Sequence, residues 1–265
     1  MSPRLRVWLA VGAAALAAAG IAVGVTLATR SDVARPTSKP PPFVPDPTAP
    51  PEVAAEVRDA LRAWPAGTAR RLRILAARYP NSALIRLELG LALAFTGQNA
   101  DAAAAWRAAQ RVQPDSPSAV HAQDLRHPNT PPGLPPFVPS FTRAKTVAQS
   151  HLLRGAAFQQ ALRPVSAERE FSAAARAAPD DPEALTAAAV GRYDKDRPAA
   201  AFSRLGPLAR RFPHAQTVRF HLGLLLIFFG DLPQARRELA LARAEGPRTL
   251  LGARAQALLK AGRKR

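Results

Sequence analysis

Residues 213 to 247 read PHAQTVRFHLGLLLIFFGDLPQARRELALARAEGP, and the way this stretch divides decides the fold. Its centre, HLGLLLIFFG at 221–230, is an uncharged run inside a chain of formal net charge +18. A membrane crossing takes about 20 apolar residues, so a run this short is expected to be a helix inside a domain and not a second span. Gly230-Asp231 closes it, a second helical pattern runs from Pro233 to Ala244, and Pro247 ends the segment. The stretch therefore reads as helix, turn, helix, stop.

The closing proline recurs. Pro179, Pro213 and Pro247 are equally spaced, and the same interval separates Pro80 from Pro114. Inside these intervals Leu89-Gly90 is followed by Ala102, Trp106, Ala109 and Pro114, and the same steps run from Gly155 through Ala167, Phe171 and Ala174 to Pro179. They recur from Ala189 through Ala201, Leu205 and Leu208 to Pro213, and from Gly223 through Ala235, Leu239 and Ala242 to Pro247. Small residues at Gly90, Gly155, Ala189 and Gly223 let the first helix of each pair approach the second, and Trp106, Phe171, Leu205 and Leu239 fill the space opposite. With a fixed period of about 34 residues and this register, the chain resembles a tetratricopeptide repeat protein. The resemblance implies an all-α, right-handed superhelical solenoid of helix-turn-helix units. It departs from the family where an early Trp is usual: Arg86, His151, Leu185 and Arg219 stand there, and the usual downstream Tyr is replaced by Leu93, Phe158, Arg192 and Leu226. Arg154 also occupies a position where Leu is expected.

The divisions follow from the period. Residues 52–114 hold a diverged unit, with Leu72 and Leu75 in its second helix, and the first clear unit; residues 148–247 hold three more. Between them, 115–147 contains HPNTPPGLPPFVPSF and is either an insertion or a decayed repeat. Residues 248–265 are expected to form a capping helix, with Leu250, Leu251, Leu258 and Leu259, and a basic tail.

Such solenoids bind extended or helical peptides on the concave side of their first helices, so the resemblance implies a protein or peptide partner. The expected concave wall is Leu84, Leu87, Leu91 and Phe95 in the first clear unit, and Phe220, Leu224, Ile227 and Phe228 in the last. Tyr193 and Asp194, with Glu183, supply a polar part. The competing reading of the same apolar side chains is core packing beneath the capping helix. PPFVP occurs twice, at 41–45 and 135–139, and a proline-rich segment with one aromatic is a plausible groove ligand; the alternative is two similar linkers.

At the N-terminus, residues 1–6 form a short tail and Val7–Thr29 form a stretch without a charge, flanked by Arg4, Arg6 and Arg30. At about 1.5 Å per residue they reach across a bilayer core of about 30 Å. An uncleaved transmembrane anchor is expected, the alternative being a cleaved signal peptide. A cytoplasmic N-terminus would display the rest as a single-pass cell-membrane protein with an extracytoplasmic domain. Gly20 and Gly24 have the spacing through which two such helices pair, so a homodimer is a candidate. Residues 30–51, with eight prolines from Pro36 to Pro51, read as a semi-rigid linker outside any core.

No cofactor, metal or catalytic set is expected. Cysteine is absent, which excludes disulfides and thiol chemistry. His214 and His221 lack an acidic residue at ligand spacing, and no nucleophile elbow, phosphate-cradling loop or His-Glu-x-x-His is present. Glu168 and Glu170, beside Arg169, are expected on an exposed helix face. The 37 basic residues include only five lysines and form no long basic run, so nothing singles out nucleic acid. The expected function is a membrane-anchored scaffold or adaptor in envelope assembly or protein export. The alternatives are a basic module adhering to anionic lipids or wall polymers, and an enzyme whose site the sequence does not reveal.

Overall fold

The computed structural model describes residues 39 to 262. The anchor expected at 7–29, Gly20 and Gly24 within it, and Arg263–Arg265 lie outside these residues. Among the described residues no helix is long and apolar enough to cross a membrane.

The protein is all-α, with twelve helices among the described residues packed in sequential pairs. They fall into two compact units, divided between Gly133 and Leu134. The first contains α1 (Pro51–Leu61), α2 (Thr68–Arg78), α3 (Ala83–Phe95), α4 (Asn99–Val112) and α5 (Pro117–Arg126). The second contains α6 (Val147–Gln160), α7 (Pro164–Ala177), α8 (Pro182–Val190), α9 (Ala199–Arg211), α10 (Gln216–Phe229), α11 (Leu232–Glu245) and α12 (Leu250–Ala261). Within each unit the first helix of a pair packs against the second and also against the first helix of the next pair. Thus α3 touches α1 and α5, while α10 touches α8 and α12. Within each unit the first helices form a layer.

Local chemistry sets the helix ends. Ser82, Ser116, Thr146, Asp181, Asp231 and Thr249 each accept a backbone N–H of the first turn that follows them. The uncharged run at 222–229 stops at Gly230, whose φ of 89° reverses the chain at no cost in Cβ clash.

The small-against-large register is realised in the packing. A methyl on Gly90 would overlap the indole of Trp106, one on Gly155 would overlap the ring of Phe171, and one on Gly223 would lie 2.7 Å from Leu239 Cγ. Leu72, Phe171, Leu205 and Leu239 are buried on the second helices, and Leu251 of α12 is buried against α10 and α11.

Two of the residues that stand where the resemblance would place Trp have partners. His151 Nδ1 lies 2.7 Å from Glu170 Oε2, which also accepts from Arg154 Nε at 2.9 Å. Arg219 donates to Glu238 at 3.0 Å, both side chains being largely covered. Glu170 and Glu238 each directly precede the large residue of their second helix, Phe171 and Leu239. Glu170, expected to face solvent beside Arg169, therefore ties α7 to α6.

α5 is followed by no second helix. Residues 127–146 are irregular, and with residues 40–50 they supply the two proline-rich segments that the units hold.

Candidate functional site

In each unit a PPFVP segment lies on the layer of first helices. Residues 41–46 are the first strap. Phe43 is half-buried with the Arg58 guanidinium of α1 5.3 Å from its ring centre. The Val44 N–H donates to Glu88 Oε1 of α3 at 2.7 Å. Asp46 Oδ2 accepts the Ser118 N–H at 3.1 Å and its hydroxyl at 2.6 Å, at the start of α5. Three successive first helices thus hold one extended segment. Val44 is buried in a cluster with Leu87 and Leu91, which contradicts the expectation that all of residues 30–51 stay outside the core.

Residues 135–140 are the second strap. The Gln159 side chain of α6 accepts the Phe137 N–H at 2.7 Å and donates to the Pro135 carbonyl at 3.0 Å, so its amide completes the strap's backbone as another peptide would. The Phe137 ring stacks on His221 at 4.8 Å and meets Phe171 edge-on at 5.2 Å. The Val138 N–H donates to His221 Nε2 of α10 at 2.9 Å. At the start of α8, Ser140 donates its N–H and hydroxyl to the two oxygens of Glu183, at 2.6 and 2.7 Å.

The two captures share a register. Glu88 precedes Gly90 by two residues and His221 precedes Gly223 by two, so both acceptors sit at one position of the repeat, and each takes the amide of the valine in a PPFVP. Both are buried, at 0% and 1% exposure. Burial drives the Glu88 carboxyl up to about 8, against the opposing bond from Val44, and keeps it neutral. Its Oε2 has no hydrogen-bond partner. Burial drives His221 down to about 4; its bond to the Thr217 carbonyl opposes this and the Arg254 charge adds to it. The neutral ring gives its Nδ1–H to that carbonyl at 2.7 Å, which leaves Nε2 to accept from Val138.

The residues expected as a concave wall fall into both units, and most are covered. Leu84, Leu87 and Leu91 are buried in the first, while Phe95 is half-buried and meets Trp64 edge-on at 6.2 Å. In the second, Phe220 and Leu224 are buried in a cluster with Val138 and α12 residues, so strap and capping helix together cover them. Ile227 and Phe228 remain partly exposed, Phe228 meeting the buried Tyr193 edge-on at 5.7 Å. Asp194 accepts from the Asp196 N–H at 2.9 Å and from Arg197 at 3.3 Å. Leu84, Leu87, Leu91, Phe220 and Leu224 are thus covered, as the competing reading of core packing would have them.

Sequence reading missed Glu88 as the polar anchor of the first strap and Gln159 and His221 as those of the second. Glu88 and His221 carried a signal, being polar residues at matched register in two otherwise apolar helices. Among the described residues no group of three His, Asp or Glu side chains could hold a metal; His214 lies 3.0 Å from Glu245 alone at the helix ends. No protein-family model, no curated protein and no solved structure matches the chain.

Proposed function

We propose that the chain is a tetratricopeptide-type scaffold that binds an extended peptide of a partner protein along its layer of first helices. The repeat identity is supported by the fixed proline period together with the close approach at Gly90, Gly155 and Gly223. The observation that carries the binding reading is that each unit already holds an extended proline-rich segment there, through side-chain bonds to its main chain. That is the chemistry by which a groove recognises a peptide: backbone capture for affinity and apolar contacts for choice. Residues 7–29 would tether this scaffold to the cell membrane with the repeats on the extracytoplasmic side, where envelope assembly or protein export would supply its partners.

The test is panning of a random peptide library against the full chain in detergent. Saturable binding of defined peptides, retained at high salt and lost when their sequence is scrambled, supports the reading. Binding of any polyanion, falling steeply with salt and indifferent to sequence, would instead make the chain a basic adhesive module.

A further inference from the structure

The two straps are held differently. The second leaves nothing unsatisfied among its anchors: both ends of the Gln159 amide and both ring nitrogens of His221 are bonded, and Phe137 and Val138 are buried. In the first, Phe43 is only half-buried, Pro42 and Pro45 are exposed, and a single strap amide reaches the α3 wall. Glu88 Oε2, fully buried at that wall, is left without a partner. With Oε1 accepting from Val44, the proton of the neutral carboxyl rests on Oε2, and a buried O–H without an acceptor costs about 1–3 kcal/mol, which any segment offering it a carbonyl recovers.

We propose that the α3 wall around Glu88 is the receptor for a proline-flanked Phe-Val segment of a partner protein, and that residues 41–46 are a resident imitation which that segment displaces. This rests on the peptide-scaffold reading and names its ligand class. The second strap shows what such a wall selects, since the same five residues reappear there against the same register position. The selected features are an extended backbone fixed by prolines, an aromatic ring, and a following valine with a free N–H for the buried acceptor. Proline stiffness lowers the ordering cost of binding, so a short segment suffices. The second strap, buried and fully bonded, is a permanent part of its unit.

The experiment uses the full chain in detergent and two fluorescein-labelled peptides, one containing PPFVPD and one with proline in place of its valine. Val44→Pro removes the resident strap's amide donor and keeps its polyproline character. The first peptide is expected to bind Val44→Pro about tenfold more tightly than wild type, the equivalent of one hydrogen bond's competition. The valine-less peptide should bind neither, and adding Glu88→Leu to Val44→Pro should abolish binding. If Val44→Pro loses helical signal, Phe43→Ala loosens the strap from its exposed side and is expected to give the same gain. Equal affinity of wild type and strap variants for PPFVPD, or equal binding of the valine-less peptide, overturns the proposal. A wild-type dimer that the peptide converts to monomer also overturns it, because the occupant is then a second copy of this chain. If library panning yields saturating peptides and PPFVPD is not bound, the ligand class fails and the scaffold reading survives. If no peptide binds at all, both fail.

Discussion

Glu88 and His221 do the same job with opposite proton chemistry, and this gives the protein two opposed pH limbs. Glu88 is protonated in both folded and unfolded chains below its ordinary value of 4.5; between there and about 8 only the unfolded chain ionises, so its contribution to stability is lost as pH rises through that window. His221 is neutral in both above 6.5; between there and about 4 only the unfolded chain takes up a proton, so stability is lost as pH falls. Each limb approaches a slope of about 1.4 kcal/mol per pH unit where only one state titrates. Thermal unfolding followed by circular dichroism from about pH 4 to 8 is expected to show Glu88→Gln flattening the alkaline limb and His221→Gln the acid one. Both keep an oxygen that can accept the valine amide. Wild-type and variant profiles running parallel would show that neither group titrates as its burial requires.

Among the elements, the helix pairs were legible in the sequence because their cause is local and repeated. A glycine, then a large residue 16 positions on, then a proline recur at fixed spacing, and each meets its partner inside one repeat unit. Gly155→Ala would drive a methyl into Phe171, at a cost of about 1–3 kcal/mol. In a double-mutant cycle Phe171→Leu should relieve part of that loss, so that the pair is less destabilised than the sum of the two changes; strict additivity would mean the helices do not meet there. The early position departs from the Trp that the resemblance implies, and His151 and Arg219 there are paired with Glu170 and Glu238 of the second helix. The straps were legible only as a repeated pentapeptide. What seats them comes from far away in the chain: Val138 and His221 are 83 residues apart, Val44 and Glu88 are 44 apart, and no period links a strap to its acceptor. Proline-rich composition argues for a spacer, and side chains supplied by the opposing helices override it.

On the scale of the whole molecule, each of two helical units carries an extended segment of its own chain across its layer of first helices. Apolar side chains that composition would leave as a groove are covered from within: Leu87 and Leu91 by Val44, Phe220 and Leu224 by Val138. A formal net charge of +18 over the chain attracts polyanions without choosing among them, so under the proposed function selectivity would reside in these walls. The most direct measurement is amide hydrogen exchange at Val44, Phe137 and Val138 in the isotopically labelled full chain, read by NMR. Seated straps predict that Phe137 and Val138 exchange as slowly as interior amides of α10, and that Val44 exchanges faster than these two but far more slowly than an amide of an unstructured peptide. Exchange of these amides at the rate of an unstructured peptide would mean that the walls are empty, and the account of an internally occupied peptide scaffold would be wrong.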